Sequence, residues 1–290
     1  MLRKVSDTAP PPQAASSRLQ RGLLLQYQRL ALSWHAMRYG RGRAVMLRRD
    51  GDLVRVHDGA RQLVIPHARR AIAFRDGIAP YLESVAEKYI GKTGFTPREG
   101  DVIVDIGAGI GEFTLWCADA GARVVAFEPD PLAFACLERN TTSLKTVSIF
   151  PFALWKENAR LRLHGSLDTT QSSLIEDGKS NARDADVEAW PLDQVQAIVR
   201  LPVIDFMKID GEGVEPEILA GAVRTLRRTR VLAIDVGASD RRPNLRGRVE
   251  TILDSLNFHW LPHEGRESIL ALNTSMVGPF SSRVLGRRGS

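Results

Sequence analysis

The chain has 290 residues, 43% of them hydrophobic, with 40 Lys and Arg against 34 Asp and Glu for a formal net charge of +6. Such a composition belongs to a globular protein able to bury one large core or two small ones, and it excludes a disordered, collagen-like or disulfide-built chain. No apolar run approaches the ~18 residues of a membrane span. The only cysteines, Cys117 and Cys136, stand at no metal-ligand spacing and suit a reducing compartment.

Residues 1–17 are rich in Pro, Ala and Ser and are expected to be disordered. The first ten residues carry charge with no apolar stretch behind them, so no secretory signal and a cytoplasmic location are expected. The charge is uneven: residues 1–49 hold Arg3, Lys4, Arg18, Arg21, Arg29, Arg38, Arg41, Arg43, Arg48 and Arg49 against Asp7 alone. That segment is +9, which leaves the remaining body at −3. A basic end of this kind meets anionic lipid, nucleic acid or acidic glycan, or is simply solvated.

Leu23, Tyr27, Leu30, Trp34 and Met37 recur at helical spacing, with Leu24 and Leu25 broadening the face. This stripe predicts a helix packed on its own domain or on the mate of a homodimer. A second reading is peripheral membrane contact through an interfacial helix, with Trp and Arg flanking the stripe. Two Asp-Gly turns, at Asp50-Gly51 and Asp58-Gly59, then separate three short apolar runs, the pattern of a small β-meander. A helix is predicted from Pro80 to Ile90, with Tyr81, Val85 and Tyr89 on one face. Residues 18–77 thus read as an extension, 78–277 as the main domain and 278–290 as a disordered tail.

The main domain alternates strand and helix. Strands are expected near 101–106, 123–128, 147–150, 203–209 and 230–236, and helices near 111–120, 131–140, 191–199, 215–229 and 246–256. Alternation means an α/β fold with a parallel sheet covered on both faces. Phe258–Leu261 and Ser268–Leu272 read as a closing antiparallel pair, and 160–190 as two strands joined by a polar loop.

The chemistry begins at Asp105-Ile-Gly107-Ala108-Gly109-Ile-Gly111-Glu112-Phe113-Thr114. Dinucleotide enzymes require Gly-x-Gly-x-x-Gly, which seats a pyrophosphate on a helix N-terminus. Here the spacing is Gly-x-Gly-x-Gly and an acid follows. An acid repels phosphate but suits a cation, and S-adenosyl-L-methionine (SAM) carries an ammonium and a sulfonium. A second strand ends in Glu128-Pro129, at the spacing where an open sheet sets a carboxylate beside a ribose. A nicotinamide or flavin domain, or a sheet that binds no ligand, remains the alternative from these two features alone.

A third strand and turn, Lys208-Ile-Asp210-Gly-Glu212-Gly-Val-Glu215, completes a set that resembles the FkbM family of methyltransferases, together with Phe127-Glu128-Pro129 and a later Gly221. The resemblance covers roughly residues 78–272. Gly109 replaces the family's usual Asn, and Gly211 and Val214 its usual Val and Ala. The resemblance implies the Rossmann-like, seven-stranded methyltransferase sheet, SAM as cofactor, and an acceptor hydroxyl on a sugar, glycolipid or natural product.

The residues expected at the donor are Asp105, Gly107, Ala108, Gly109, Gly111, Glu112, Phe113, Thr114, Glu128, Pro129, Ala153 and Asp210, with Phe152 a second candidate at adenine. Asp210 and Glu212 are candidate bases and Lys208 an electrostatic partner. Each has a structural alternative: Asp210 as holder of the donor's ammonium only, Glu212 as cap of the helix that follows, and Lys208 as partner of a strand-end acid. A metal on Asp210, Glu212 and Asp235 rests on acid count alone and is not favoured. His164, His259 and His263 are isolated in sequence, and Ser172-Ser173-Leu174 is a candidate lining of the acceptor pocket. The expected partner is a small-molecule or glycan acceptor. Nucleic acid is not expected, because the catalytic part has no basic stripe interleaved with aromatics. N-methylation of an amino sugar or peptide, or a donor-binding scaffold without catalysis, are the alternatives.

Overall fold

A computed structural model describes residues 18–39, 45–93, 95–165, 174, 184–237, 242–261 and 268–276. The expectations placed on 1–17, on 278–290, on Ser172-Ser173 and on His263 fall outside these residues.

Helix α1 (Arg18–Tyr39) is followed by the meander β1 (Met46–Asp50), β2 (Leu53–His57) and β3 (Gln62–Ile65), all antiparallel. Asp58 shapes the second turn: its Oδ1 accepts from the backbone N–H of Ala60 and Arg61 at 3.0 and 2.8 Å. Its Oδ2 accepts from Ile78 N at 2.8 Å and so satisfies the start of α2 (Ile78–Ile90). A 3-10 segment, Ala68–Phe74, links meander to helix.

The first four residues of the predicted apolar stripe of α1 point outward. Leu23, Tyr27, Leu30 and Trp34 are 59, 51, 71 and 56% exposed. The helix packs instead through Leu24, Leu25 and Leu32, with Gln28 buried beside them. Two apolar stripes lie side by side on α1, and the 3-10 segment and β1, against which it lies, select the one rotated by a residue.

The central sheet has the order β12-β13-β11-β10-β4-β5-β6. Its parallel part comprises β4 (Val102–Ile106), β5 (Arg123–Phe127), β6 (Val147–Phe150), β10 (Ile204–Ile209) and β11 (Thr229–Asp235). The closing pair β12 (Phe258–Leu261) and β13 (Ser268–Asn273) is antiparallel. Runs such as Ile-Asp-Phe-Met-Lys-Ile in β10 are buried at every position, as a strand covered on both faces must be. Helices α3 (Glu112–Asp119), α4 (Pro131–Thr141) and α8 (Leu245–Ser255) alternate with the strands. This is the seven-stranded α/β sheet that the sequence implied.

Between β6 and β10 lies a small side sheet of β7 (Ala153–Leu154), β9 (Ala185–Trp190) and β8 (Ala159–Leu163) in that order. The helix expected over 191–199 is a 3-10 turn plus the short α5 (Gln196–Val199). The helix expected over 215–229 is broken into α6 (Glu215–Ala220) and α7 (Val223–Leu226). The break falls at Gly221, where a Cβ would lie 2.0 Å from Trp155 O. Tertiary contact with the side sheet, absent from any helical periodicity, sets that boundary.

The extension shares a core with the catalytic part. Leu32, Leu47, Val56 and Phe74 pack with Ile110, Leu115 and Cys136 in one buried cluster. Asn140 of α4 stitches the two together: Val64 N donates to its Oδ1 at 2.7 Å, and its Nδ2 donates to Val64 O and Ile110 O. No helix among the described residues is long and apolar enough to cross a membrane.

Candidate active site

Strand order reverses between β10 and β4, the place where open α/β sheets bind ligands at the carboxyl ends of their strands. A cavity of about 720 Å³ lies there, within the usual range for small-molecule sites of about 300–1,000 Å³. Gly107, Ala108 and Gly109 line it after β4, Glu128 and Pro129 after β5, Asp210, Gly211 and Glu212 after β10, and Asp235 at the end of β11.

The glycine turn is held from below. Gly107 N and Ala108 N both donate to Phe127 O at 3.0 Å. Gly107 has φ +73°, and a Cβ there would meet Asp210 O at 2.0 Å. Gly109 has φ +60°, the left-handed region that Asn also visits. The departure from the family's Asn at 109 therefore preserves the backbone conformation. Lys208 is buried, and its Nζ donates to Asp105 Oδ1 at 3.0 Å, Gly107 O at 2.8 Å and Ile106 O at 3.3 Å, one acceptor for each ammonium proton. Burial pulls its pKa down, but Asp105 and Asp210 outweigh that and hold it raised.

Three residues expected at the donor stand behind the turn instead. Asp105 is fully buried, with Oδ1 on Lys208 and Oδ2 accepting from Thr114 Oγ1 at 2.7 Å. Asp105 and Thr114 therefore hold each other and the lysine, and neither is among the residues lining the cavity. Gly111 precedes α3 at φ +98°, where a Cβ would press Leu137 at 2.8 Å, a packing constraint away from the cavity. Gly107, Ala108, Gly109, Glu112, Phe113, Glu128, Pro129, Ala153 and Asp210 all line the cavity, as do Phe152, Lys208 and Glu212.

Glu128 Oε2 accepts from Gly109 N at 2.7 Å, and Oε1 from Asp130 N at 2.8 Å. Burial pushes its pKa to about 8, against the lowering effect of those two bonds. Glu112 opens α3, and its Oε1 is bonded by the Arg70 guanidinium. Asp210 Oδ2 accepts from Tyr89 Oη at 2.6 Å. Lys88 bonds Asp235 Oδ2, whose Oδ1 accepts from Gly237 N at 2.8 Å. Glu212 has φ +53°, an uncommon conformation for a residue with a side chain, and strain of this kind concentrates at functional sites. The residue at the N-cap of the following helix, Val214, supplies no side-chain cap. Glu215 supports the loop instead: its Oε1 accepts from Gly211 N and Gly213 N at 2.9 and 3.1 Å. Its Oε2 is buried with no hydrogen-bond partner, and burial raises its pKa to about 7.

The family decides the chemistry. A methyltransferase FkbM domain model matches residues 105–260, more than half of the chain. The chain belongs to the FkbM methyltransferase family. Its cofactor is SAM, and it is a SAM-dependent methyltransferase. Among curated proteins none matches the sequence. Among solved structures, the METTL16 MTase domain aligns at 13% identity over 89% of this chain and 94% of its own, with a TM-score of 0.41. The precorrin-6y C5,15-methyltransferase of Geobacter metallireducens aligns at 12% identity over 67% and 88%, with a TM-score of 0.38. A TehB-like SAM-dependent methyltransferase of Corynebacterium glutamicum aligns at 13% identity over 61% and 80%, with a TM-score of 0.33.

The cavity of this FkbM methyltransferase fits such a donor. Six acidic side chains line it, Glu112, Glu128, Asp210, Glu212, Glu215 and Asp235, two of them (Glu128 and Glu215) with pKa values raised by burial, against three cations, Arg70, Lys88 and Lys208. Two of the cations are bonded to cavity acids, Arg70 to Glu112 and Lys88 to Asp235, and the third to Asp105. The excess is acidic, and a molecule with an ammonium and a sulfonium relieves it. Among the described residues no group of three His, Cys, Asp or Glu is placed to hold a metal ion.

Sequence reasoning missed the near wall. Arg70, Tyr81, Val85, Lys88 and Tyr89 all line the cavity. The shared face of Tyr81, Val85 and Tyr89 was legible in α2, but nothing in its spacing announced that the face meets a ligand rather than a core. Arg70 comes from the extension, outside the family resemblance. Glu215 was visible in the motif, and only its orphaned oxygen distinguishes it from a helix-start acid.

Proposed function

We propose that the chain methylates a hydroxyl oxygen of a sugar, glycolipid or natural-product acceptor. SAM, when bound, supplies an electrophilic methyl group. The protein's tasks are then to hold donor and acceptor in line and to take the proton that the hydroxyl loses. In this reading the Gly107–Gly109 turn meets the methionine part, Glu128 accepts from both ribose hydroxyls, and Phe152 and Ala153 border the adenine. Glu112, oriented by Arg70, adds negative potential beside the turn. Lys208, with its protons committed to Asp105 and the turn, keeps the turn in place.

The observation that carries the assignment of an oxygen acceptor is Asp210. It lines the cavity directly after β10, beside the turn that its own carbonyl abuts, and Tyr89 fixes one of its oxygens. The carboxylate's other oxygen is the proton acceptor. Glu212 is the second acid in reach of the same space.

Mass spectrometry of cell-envelope glycans and secreted metabolites, with and without the protein, tests the proposal. A product heavier by one methyl group, located on oxygen by fragmentation, is expected. A methylated nitrogen would replace this reading with N-methylation. Once that acceptor is in hand, Asp210→Asn is expected to lower kcat about 10²–10⁴-fold, the usual worth of a general base, while SAM affinity changes little. Equal losses in turnover and SAM affinity would make Asp210 a donor-binding residue.

A further inference from the structure

The exposed face of α1 has no counterpart in the chemistry of the cavity. Leu23, Tyr27, Leu30 and Trp34 stand at i, i+4, i+7 and i+11, each more than half exposed, while the adjoining stripe of Leu24, Leu25 and Leu32 anchors the same helix to the body. Soluble surfaces carry single exposed apolar residues, but a continuous helical row of four large ones marks a contact surface. The anchorage matters: Arg29 donates from Nε and one terminal nitrogen to Leu47 O at 3.0 and 2.7 Å, so the helix is fixed with this row outward.

We propose that this face docks α1 on an anionic lipid surface. Charge selects the occupant. α1 carries four arginines, Arg18, Arg21, Arg29 and Arg38, and no acid; Arg29 is held on Leu47 O and Arg21 lies 3.8 Å from Asp52 of the meander, and the segment keeps a net positive charge. Arg48 and Arg49 of β1, beside which α1 lies, are exposed. A helix lying in the headgroup plane needs this combination: leucine side chains that enter the acyl boundary, Tyr and Trp at the interface, and arginines that meet lipid phosphates. A second copy of the chain docked isologously on the same face would set two such cationic helices against each other. A nucleic acid would answer the arginines and stack on Tyr27 and Trp34, but its phosphates offer nothing to Leu23 and Leu30. Lipid alone uses both the aliphatic and the cationic residues.

The test uses the full chain with phosphatidylcholine vesicles and with vesicles in which a third of the lipid is phosphatidylglycerol. Co-sedimentation with the anionic vesicles is expected, falling as salt rises. Leu23→Ser with Leu30→Ser is expected to weaken that binding at least about tenfold, because two partly buried apolar side chains are lost to the acyl boundary. Both residues are exposed, so the melting temperature and SAM affinity are expected to stay at wild-type values, which separates this result from failure of the active-site reading. Wild-type protein left in the supernatant with both vesicles would overturn the proposal, as would undiminished binding by the double variant. A sedimentation-velocity dimer that the double variant dissociates would assign the face to a second copy. Retention on single-stranded RNA that the variant loses would assign it to nucleic acid.

Discussion

Gly107→Ala is expected to destabilise the fold by about 2–5 kcal/mol and to abolish measurable SAM binding. Two effects add at this position. The backbone sits at φ +73°, which costs an L side chain about 1–2 kcal/mol. The new methyl would also lie 2.0 Å from Asp210 O, a backbone atom that cannot swing aside. Relief requires β4 and β10 to move apart where Asp210 N donates to Ile106 O at 3.1 Å, and overpacking of this kind costs about 1–3 kcal/mol. The same movement would shift Gly107 O from Lys208 and Asp210 from Tyr89. Gly100 supplies the control: its φ is +87° but no atom lies within 4 Å of a Cβ. Gly100→Ala is therefore expected to show the backbone cost alone, with SAM affinity intact. Urea unfolding and calorimetric titration of both variants give the comparison. A Gly107→Ala protein as stable as Gly100→Ala would show that the clash does not exist.

Glu128→Ala is expected to weaken SAM binding about 10²–10⁴-fold. In the proposed reading the carboxylate accepts two ribose hydroxyls, each such bond to a charged group being worth about 1.5–3 kcal/mol. Part of the loss comes from the protein itself, since Gly109 N and Asp130 N lose their acceptor. Glu128→Gln keeps one carbonyl oxygen and is expected to lose less. The pH dependence separates the roles. Burial raises the Glu128 pKa to about 8, so below that value the free protein holds the acid protonated, and SAM binding must expel the proton. Affinity is thus expected to rise with pH, by up to about tenfold per unit, until about pH 8, and then to level off. Glu128→Gln is expected to flatten the profile below that point. A wild-type affinity independent of pH, or an unweakened Glu128→Ala, would move the ribose partner elsewhere.

The parts of this protein written in local sequence were legible before the structure. β4 ends in an acid and a glycine turn, β5 in Glu128, β10 in Asp210, and each feature fits within ten residues. The parent sheet follows from their alternation. The relations that cross the fold were not legible. Asp105 reads as a donor ligand by position, yet it serves Lys208 from a neighbouring strand and Thr114 from the next helix. Only strand order puts Lys208 beside it. The break at Gly221 depends on the carbonyl of Trp155, which follows β7 of the side sheet. On α1 the hydrophobic period is right, but the stripe that packs on the chain's own body is the neighbouring one, because two apolar stripes compete and the meander chooses between them. Arg70 lies outside the family motif, and its bond to Glu112 joins elements about forty residues apart in sequence, so neither residue announces the other.

The central claim is that the acid-lined cavity between the carboxyl ends of β4, β5 and β10 is where SAM sits, with its ribose on Glu128. A crystal structure of the full chain with S-adenosylhomocysteine measures this directly. Electron density for the nucleoside is expected in that cavity, with both ribose hydroxyls within hydrogen-bond distance of the Glu128 carboxylate and the amino-acid part against Gly107–Gly109. Density for the nucleoside at any other place on the protein, or a ribose turned away from Glu128, would contradict it.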